Sequence, residues 1–138
     1  MLVVKFYEDV KDELLRFAVV IAKHDGKWVL RKHKKRETLE FPGGHRETGE
    51  AIAETAKREL MEETGAVKFE IRPICVYSVT GKTRVSETGE ESFGGLFYAE
   101  IASFGEKIVL CDALPENQTY PGIMPALLKE AERRGFGV

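Results

Sequence analysis

The stretch RELMEETG, Arg58 to Gly65, puts Glu59, Glu62 and Glu63 within five residues of one another. In a helix these carboxylates stand at i, i+3 and i+4 on one face, where each like-charge pair costs roughly a few tenths of a kcal/mol. The surrounding pattern predicts that helix. From about Glu50 to Thr64, Ala53, Ala56, Leu60 and Thr64 recur at three- and four-residue steps. Thr48 has the chemistry of an N-cap and Gly65 that of a stop. Upstream, RFAVVIAKHDGKWVLRKH predicts a β-hairpin, with Val19–Ala22 and Trp28–Leu30 as its β-rich runs and Asp25-Gly26 as its turn. A basic loop and the breaker FPGG separate hairpin from helix. Downstream, AVKFEIRPICVYSV alternates as a strand, with Pro73 asking for an edge or a bulge. SFGGLFYAEI and KIVL are further strands, and PGIMPALLKEAERR is an amphipathic helix with Pro121 in its first turn. LVVKFY at the N-terminus has the character of an edge strand, pairing within the sheet or with a second subunit. Helices on a mixed sheet make an α/β or α+β layered fold, and 138 residues suit one domain, 1–138.

Composition narrows the function. With 43% hydrophobic and 32% charged residues the chain is that of a globular protein. A net charge of −2 argues against general binding of nucleic acid or anionic membranes, so no stable nucleic-acid partner is expected. No segment approaches the roughly 20 apolar residues of a spanning helix, and the charged N-terminus does not read as a signal peptide. Cys75 and Cys111 lack metal-ligand spacing and read as reduced core thiols of a cytoplasmic protein.

The acidic stripe admits two readings. It is a solvated face, or it is resolved by a divalent cation. A solvated face would carry lysines at i+4, which the stripe lacks; Arg58 stands on its flank, four residues before Glu62. Mg²⁺ or Mn²⁺ favours hard carboxylate oxygens and bridges to phosphates. Ahead of the helix, FPGGHRETGE supplies glycines that let the backbone approach a ligand and leads to an electropositive helix N-terminus.

The run GHRETGEAIAETAKRELMEETGA, residues 44–66, resembles the Nudix box. Gly44, Glu50, Arg58, Glu59, Leu60, Glu62, Glu63 and Gly65 occupy its fixed positions. Ala66 departs mildly, a larger aliphatic residue being usual there, with Val67 next door as a candidate substitute. The resemblance implies a Nudix-like α/β/α sandwich with a mixed β-sheet, and Mg²⁺-dependent hydrolysis (Mn²⁺ as substitute) of a nucleoside diphosphate linked to another group. Glu59, Glu62 and Glu63 would be metal ligands, with the Gly43 carbonyl as a further one, and Arg58 would orient a box carboxylate. Arg58, Glu59, Glu62 and Glu63 thus form the expected catalytic set. Glu50 is either a first-turn acid favourable to the helix dipole or part of the site. The base that takes a proton from water is Glu59 or a glutamate outside the box, with Glu90, Glu91 and Glu106 as candidates. His33 and His45 have no partner at metal-ligand spacing.

For the substrate, the basic run Arg31–Arg36 reads mainly as a solvated hairpin exit. Arg31, ending the strand, resembles an arginine that contacts phosphate in nucleotide-hydrolysing relatives. Gly44, Phe41 and Tyr120 are the other candidate substrate residues, the two rings by stacking on a base or by packing. The secondary marks of ADP-ribose and dinucleoside-polyphosphate hydrolases are absent from VTGKTRVSE. LEFPGG and the small size look most like MutT-type nucleoside triphosphate pyrophosphohydrolases, and the expected substrate is a (d)NTP, including oxidised forms such as 8-oxo-dGTP. Alternatives are ADP-ribose, a dinucleoside polyphosphate, an RNA 5′ end, or a regulatory domain that binds nucleotide without catalysis. A monomer and a homodimer both fit the chain.

Overall fold

The computed structural model describes residues 2–32, 38–81, 89–103, 109–111 and 114–136. Among them, eight strands form a mixed sheet: β1 Val3–Tyr7, β2 Leu15–His24, β3 Lys27–Lys32, β4 Leu39–Glu40, β5 Gly43–His45, β6 Lys68–Thr80, β7 Ser92–Ser103 and β8 Val109–Cys111. Two α-helices accompany them, α1 Ile52–Thr64 and α2 Met124–Arg133. The sheet runs β1-β6-β7-β2-β3-β4, with β5 on β2 and β8 on β3. β2 and β7 are parallel; the other named strand pairs are antiparallel.

Alternation along the strands splits the core into two layers. Ala18, Val20, Ala22, Val29, Phe97 and Ala99 face α1, where Ile52, Ala56 and Leu60 meet them. Ile21, Leu30, Tyr77, Val79 and Leu96 face α2, where Met124, Leu127 and Ala131 close the other side. The result is the expected α/β/α sandwich. The Asp25-Gly26 turn takes φ of 53° and 79°, the left-handed pair that a two-residue hairpin needs. A register shift between Pro73 and Cys75 in the β6–β7 ladder accommodates the proline as a bulge. β1 pairs with β6 within the sheet.

Several expectations need correction. α1 begins at Ile52, and its N-cap is Ala51, not Thr48. The buried stripe is Ile52, Thr55, Ala56, Leu60 and Thr64; Ala53 is exposed, one residue off that stripe. Ala66 is itself in the core at 3% exposure while Val67 is 73% exposed, so Val67 substitutes for nothing. α2 starts at Met124 with Pro125 in its first turn, and Pro121 belongs to the preceding turn, where Tyr120 O accepts from Ile123 and Met124 N–H. No helix among the described residues is long and apolar enough to cross a membrane.

Candidate active site

The box helix is fastened to the loop before it by Arg58. Its Nε donates to Glu50 Oε2 at 2.6 Å and its Nη2 to Glu50 Oε1 and the His45 carbonyl, both at 3.0 Å. Nη1 donates to Glu59 Oε1 at 2.7 Å and, more loosely, to Glu62 Oε2 at 3.4 Å. One guanidinium therefore spends its rigid fork of donors on three carboxylates and a backbone carbonyl. Glu50 also accepts the Glu47 N–H and the Thr55 hydroxyl, at 3.0 and 2.9 Å. The Arg58 hydrogen bond, followed by the Glu47 amide, holds the Glu50 carboxyl down at about 2, against 4.5 for an ordinary glutamate. Arg58 is raised in turn, chiefly by Glu50. Glu50 precedes α1, and the first-turn acid is Glu54, which accepts the Ala51 N–H at 3.0 Å.

The glycines of the FPGG turn sit against the carboxylates. Gly43 N–H donates to Glu63 Oε1 at 2.7 Å. A Cβ on Gly44 would lie 2.5 Å from Glu59 Cδ, so only glycine lets the turn press against that carboxyl. Arg31, reaching from β3, pairs with Glu63 Oε2. In this conformation the guanidinium expected at phosphate is on a carboxylate instead. Glu59 and Glu63 are mostly buried, with side chains 14% and 11% exposed, whereas Glu62 is 59% exposed. The structure thus brings two of the three stripe glutamates to the turn and leaves the third at the solvent edge, linked through Arg58.

Among the described residues no three acidic, histidine or cysteine side chains converge as a ready-made cation cage. The donor chemistry nonetheless fits a hard divalent cation: carboxylate oxygens on one helix face, beside an exposed glycine backbone. Glu91 is engaged elsewhere. Its Oε2 accepts the Tyr7 hydroxyl at 2.6 Å and the Ser78 hydroxyl at 2.7 Å, bonds that lower its pKa and tie the residue ahead of β7 to β1 and β6. Glu106 and His33 lie outside the described residues, and the basic run is described only through Lys32.

On the α2 side a cavity of about 190 Å³ opens beside Gly43, Gly44 and His45. Its walls include Phe17, Phe41, Tyr77, Tyr120, Met124 and Leu127. Phe41 is 4% exposed and meets Trp28 edge-on at 5.8 Å, so it is a fixed wall. Tyr120 is brought there by the segment before it. Leu39 N–H donates to Asn117 O at 2.8 Å and Thr119 N–H to Leu39 O at 2.9 Å.

One positioning residue escaped the sequence reading. Asp12, in a short 3-10 turn Asp12–Leu14, accepts the Ile52 N–H on Oδ1 at 3.1 Å. Arg46, in the loop ahead of α1, donates to Asp12 Oδ2 at 2.8 Å and to its carbonyl at 2.5 Å. Ala51 has no side-chain oxygen, so the helix is capped from 40 residues away. No local motif signals a cap of that kind.

Comparison with known proteins follows the geometry. The NUDIX domain model matches residues 13–116. YtkD of Bacillus subtilis (strain 168), provisionally named an 8-oxo-dGTP diphosphatase, is 31% identical over 134 residues, covering 85% of this chain and 80% of its own. Among solved structures, a point mutant of the Bacillus subtilis pyrophosphohydrolase BsRppH aligns with a TM-score of 0.76 at 27% identity, over 96% of this chain and 92% of that one. An Ap4A hydrolase of C. elegans shares the fold, with a TM-score of 0.65 at 19% identity over 87% and 97% of the two chains. With box, sandwich and relatives in agreement, the chain belongs to the Nudix family and is a hydrolase of phosphoric anhydride bonds.

Proposed function

We propose that the enzyme cleaves a (d)NTP, oxidised forms such as 8-oxo-dGTP included, to the monophosphate and pyrophosphate with Mg²⁺. The observation that carries this is the joining of two environments at one turn. Gly43 and Gly44 touch Glu63 and Glu59 and also line the aromatic cavity. A nucleotide needs that pair: a cation-binding edge for its phosphates and an apolar slot for its base. The YtkD name agrees with this substrate class. Glu59, Glu62, Glu63 and the Gly43 carbonyl are the proposed cation ligands. Mg²⁺ held there would neutralise phosphate charge and lower the pKa of water, so that hydroxide becomes available as the nucleophile.

The residues of this chain do the rest. Arg58 fixes Glu59 Oε1 and holds the loop against the helix, so the carboxylate is set before substrate arrives. Water oxygen adds to one phosphorus of the α,β-anhydride and the bridging P–O bond breaks, giving the monophosphate and pyrophosphate, with the bridging oxygen kept by the leaving group. A carboxylate takes the water's proton. Glu59, which lies against Gly44 at the turn, is the proposed acceptor; Glu91 is already bonded to Tyr7 and Ser78. Phe41 and Tyr120 hold the base, Gly44 lets the chain approach, and Arg31 contacts phosphate. β1 and α2 lie outside the matched 13–116 segment, yet join the same sheet and core, which supports one domain over 1–138.

The test is phosphate and pyrophosphate release with Mg²⁺ from the common dNTPs, 8-oxo-dGTP, ADP-ribose, a dinucleoside polyphosphate and a 5′-triphosphorylated RNA oligomer, beside Glu62→Gln. Pyrophosphate from a dNTP or 8-oxo-dGTP, lost in the variant, is expected. Turnover of only another class refutes the substrate assignment.

A further inference from the structure

Arg31 and Glu63 form a pair whose side chains are only 16% and 11% exposed, so neither charge can be left alone cheaply. Directly across the β3–β4 ladder from Arg31 stands Glu40. Cross-strand partners share a face of the sheet, with Cβ atoms about 5 Å apart. Glu40 Oε1 is buried and has no hydrogen-bond partner, an arrangement that ordinarily carries a penalty and calls for a reason. A guanidinium at Arg31 therefore has two carboxylates around it, one that it holds and one with a buried oxygen lacking a donor.

We propose that Arg31 is a counter-ion switch: it neutralises Glu63 until a divalent cation takes that carboxylate, and then transfers to Glu40. The switch rests on the reading of Glu63 as a cation ligand. In both states Arg31 and Glu63 each keep an opposite charge, and Glu40 gains one once the cation has taken Glu63. Binding of the cation exchanges one pairing for another and leaves no guanidinium stranded. Five N–H donors let Arg31 pair with Glu40 and still offer hydrogen bonds to a phosphate at the end of β3. Glu40 acts through Arg31 and is a positioning residue.

The test is Mn²⁺ affinity of the full chain without nucleotide, by electron paramagnetic resonance of the free ion. Proteins compared are the wild type, Glu40→Gln, Arg31→Gln, the double variant and Glu63→Gln. Glu40→Gln should weaken Mn²⁺ binding about fivefold or more in the wild-type background. In the Arg31→Gln background the same change should have less than about a twofold effect, because no guanidinium then needs a second partner. Equal effects in both backgrounds would make Glu40 a through-space charge and overturn the switch. A Glu63→Gln protein that binds Mn²⁺ as the wild type does would overturn the ligand reading itself, and the switch with it. In unaltered protein, the Arg31 Nε–H resonance should move on addition of Mg²⁺ alone. A resonance that stays in place as Mg²⁺ saturates the protein also overturns the switch.

Discussion

Replacing Asp12 by Ala should destabilise the box helix from a position far outside the box. The carboxylate does two things: it caps Ile52 N–H at 3.1 Å and pairs with Arg46 at 2.8 Å. Loss of an N-cap acceptor costs about 1 kcal/mol, within a range of roughly 0.5–2. The Arg46 pair adds at most about 0.5 kcal/mol, since Asp12 is 53% exposed and water screens the charges. Together the loss is about 1.5 kcal/mol. Unfolding entropy of about 2.1 cal/mol/K per residue amounts to roughly 0.29 kcal/mol/K over 138 residues, so Tm should fall by about 5 °C. Asp12→Asn keeps an acceptor of the same reach and loses only the charge, so its Tm should fall by about 1–2 °C. Thermal melts by circular dichroism at neutral pH read both variants. Amide exchange should show faster opening at Ile52 in the Ala variant alone. An Ala variant that melts with the wild type, or an Asn variant that falls as far as Ala, would refute the capping argument.

Other expectations follow from the same geometry. Gly44→Ala should fold normally, because its Cβ meets only the end of Glu59, yet it displaces that carboxyl and should cost about tenfold or more in kcat. Gly43→Ala meets the Ala18 carbonyl at 2.5 Å and should instead lower Tm; equal Tm for the two variants would contradict the contrast. Glu50 and Glu130 are held down at about 2 by Arg58 and by Arg133, respectively, so each stabilises the fold above the ordinary value of 4.5 and ceases to do so as pH falls to about 2. Glu130→Gln should therefore melt below the wild type at pH 7 and with it near pH 2; a gap that persists in acid would refute the assignment. Tyr120→Ala should raise KM for the nucleotide about tenfold with kcat kept, given roughly 1–3 kcal/mol for stacking on a base. An unchanged KM would remove Tyr120 from the base site.

Most of what depends on near neighbours in the chain is legible, although helical periodicity put the exposed Ala53 on the buried stripe. Asp25-Gly26 reads as a tight turn because few residue pairs tolerate positive φ twice, and Gly65 ends α1 at φ of 71° for the same reason. Val20 and Ile21 lie in opposite core layers, and that split needs nothing beyond the β-rich run Val19–Ala22, since successive strand residues face opposite ways. The box supplied the acids and Arg58 together, since their spacing on one helix is itself the signal. The helix start was not legible, because its cap comes from Asp12 and Thr48 only has the right chemistry in the wrong place. Pro121 and Pro125 are both suited to a first turn, and only packing of Met124 and Leu127 on the sheet selects the second.

The partners of the acids divide along the same line. Glu59 is held by its sequence neighbour Arg58, so its environment travels with the motif. Glu63 is held by Arg31 and by the Gly43 amide, 32 and 20 residues away. A helical wheel treats these two glutamates as equivalent, yet folding gives one a clamp made by the helix itself and the other a clamp made by the sheet. The first moves with α1; the second depends on how β3 and the FPGG turn meet α1, and the β3–β4 register sets Glu40 opposite Arg31. A one-residue slip of that ladder would turn Glu40 to the other face while leaving every residue of the box intact. On the proposed switch, chains with the same box would differ in how firmly they hold a cation according to their β3–β4 pairing.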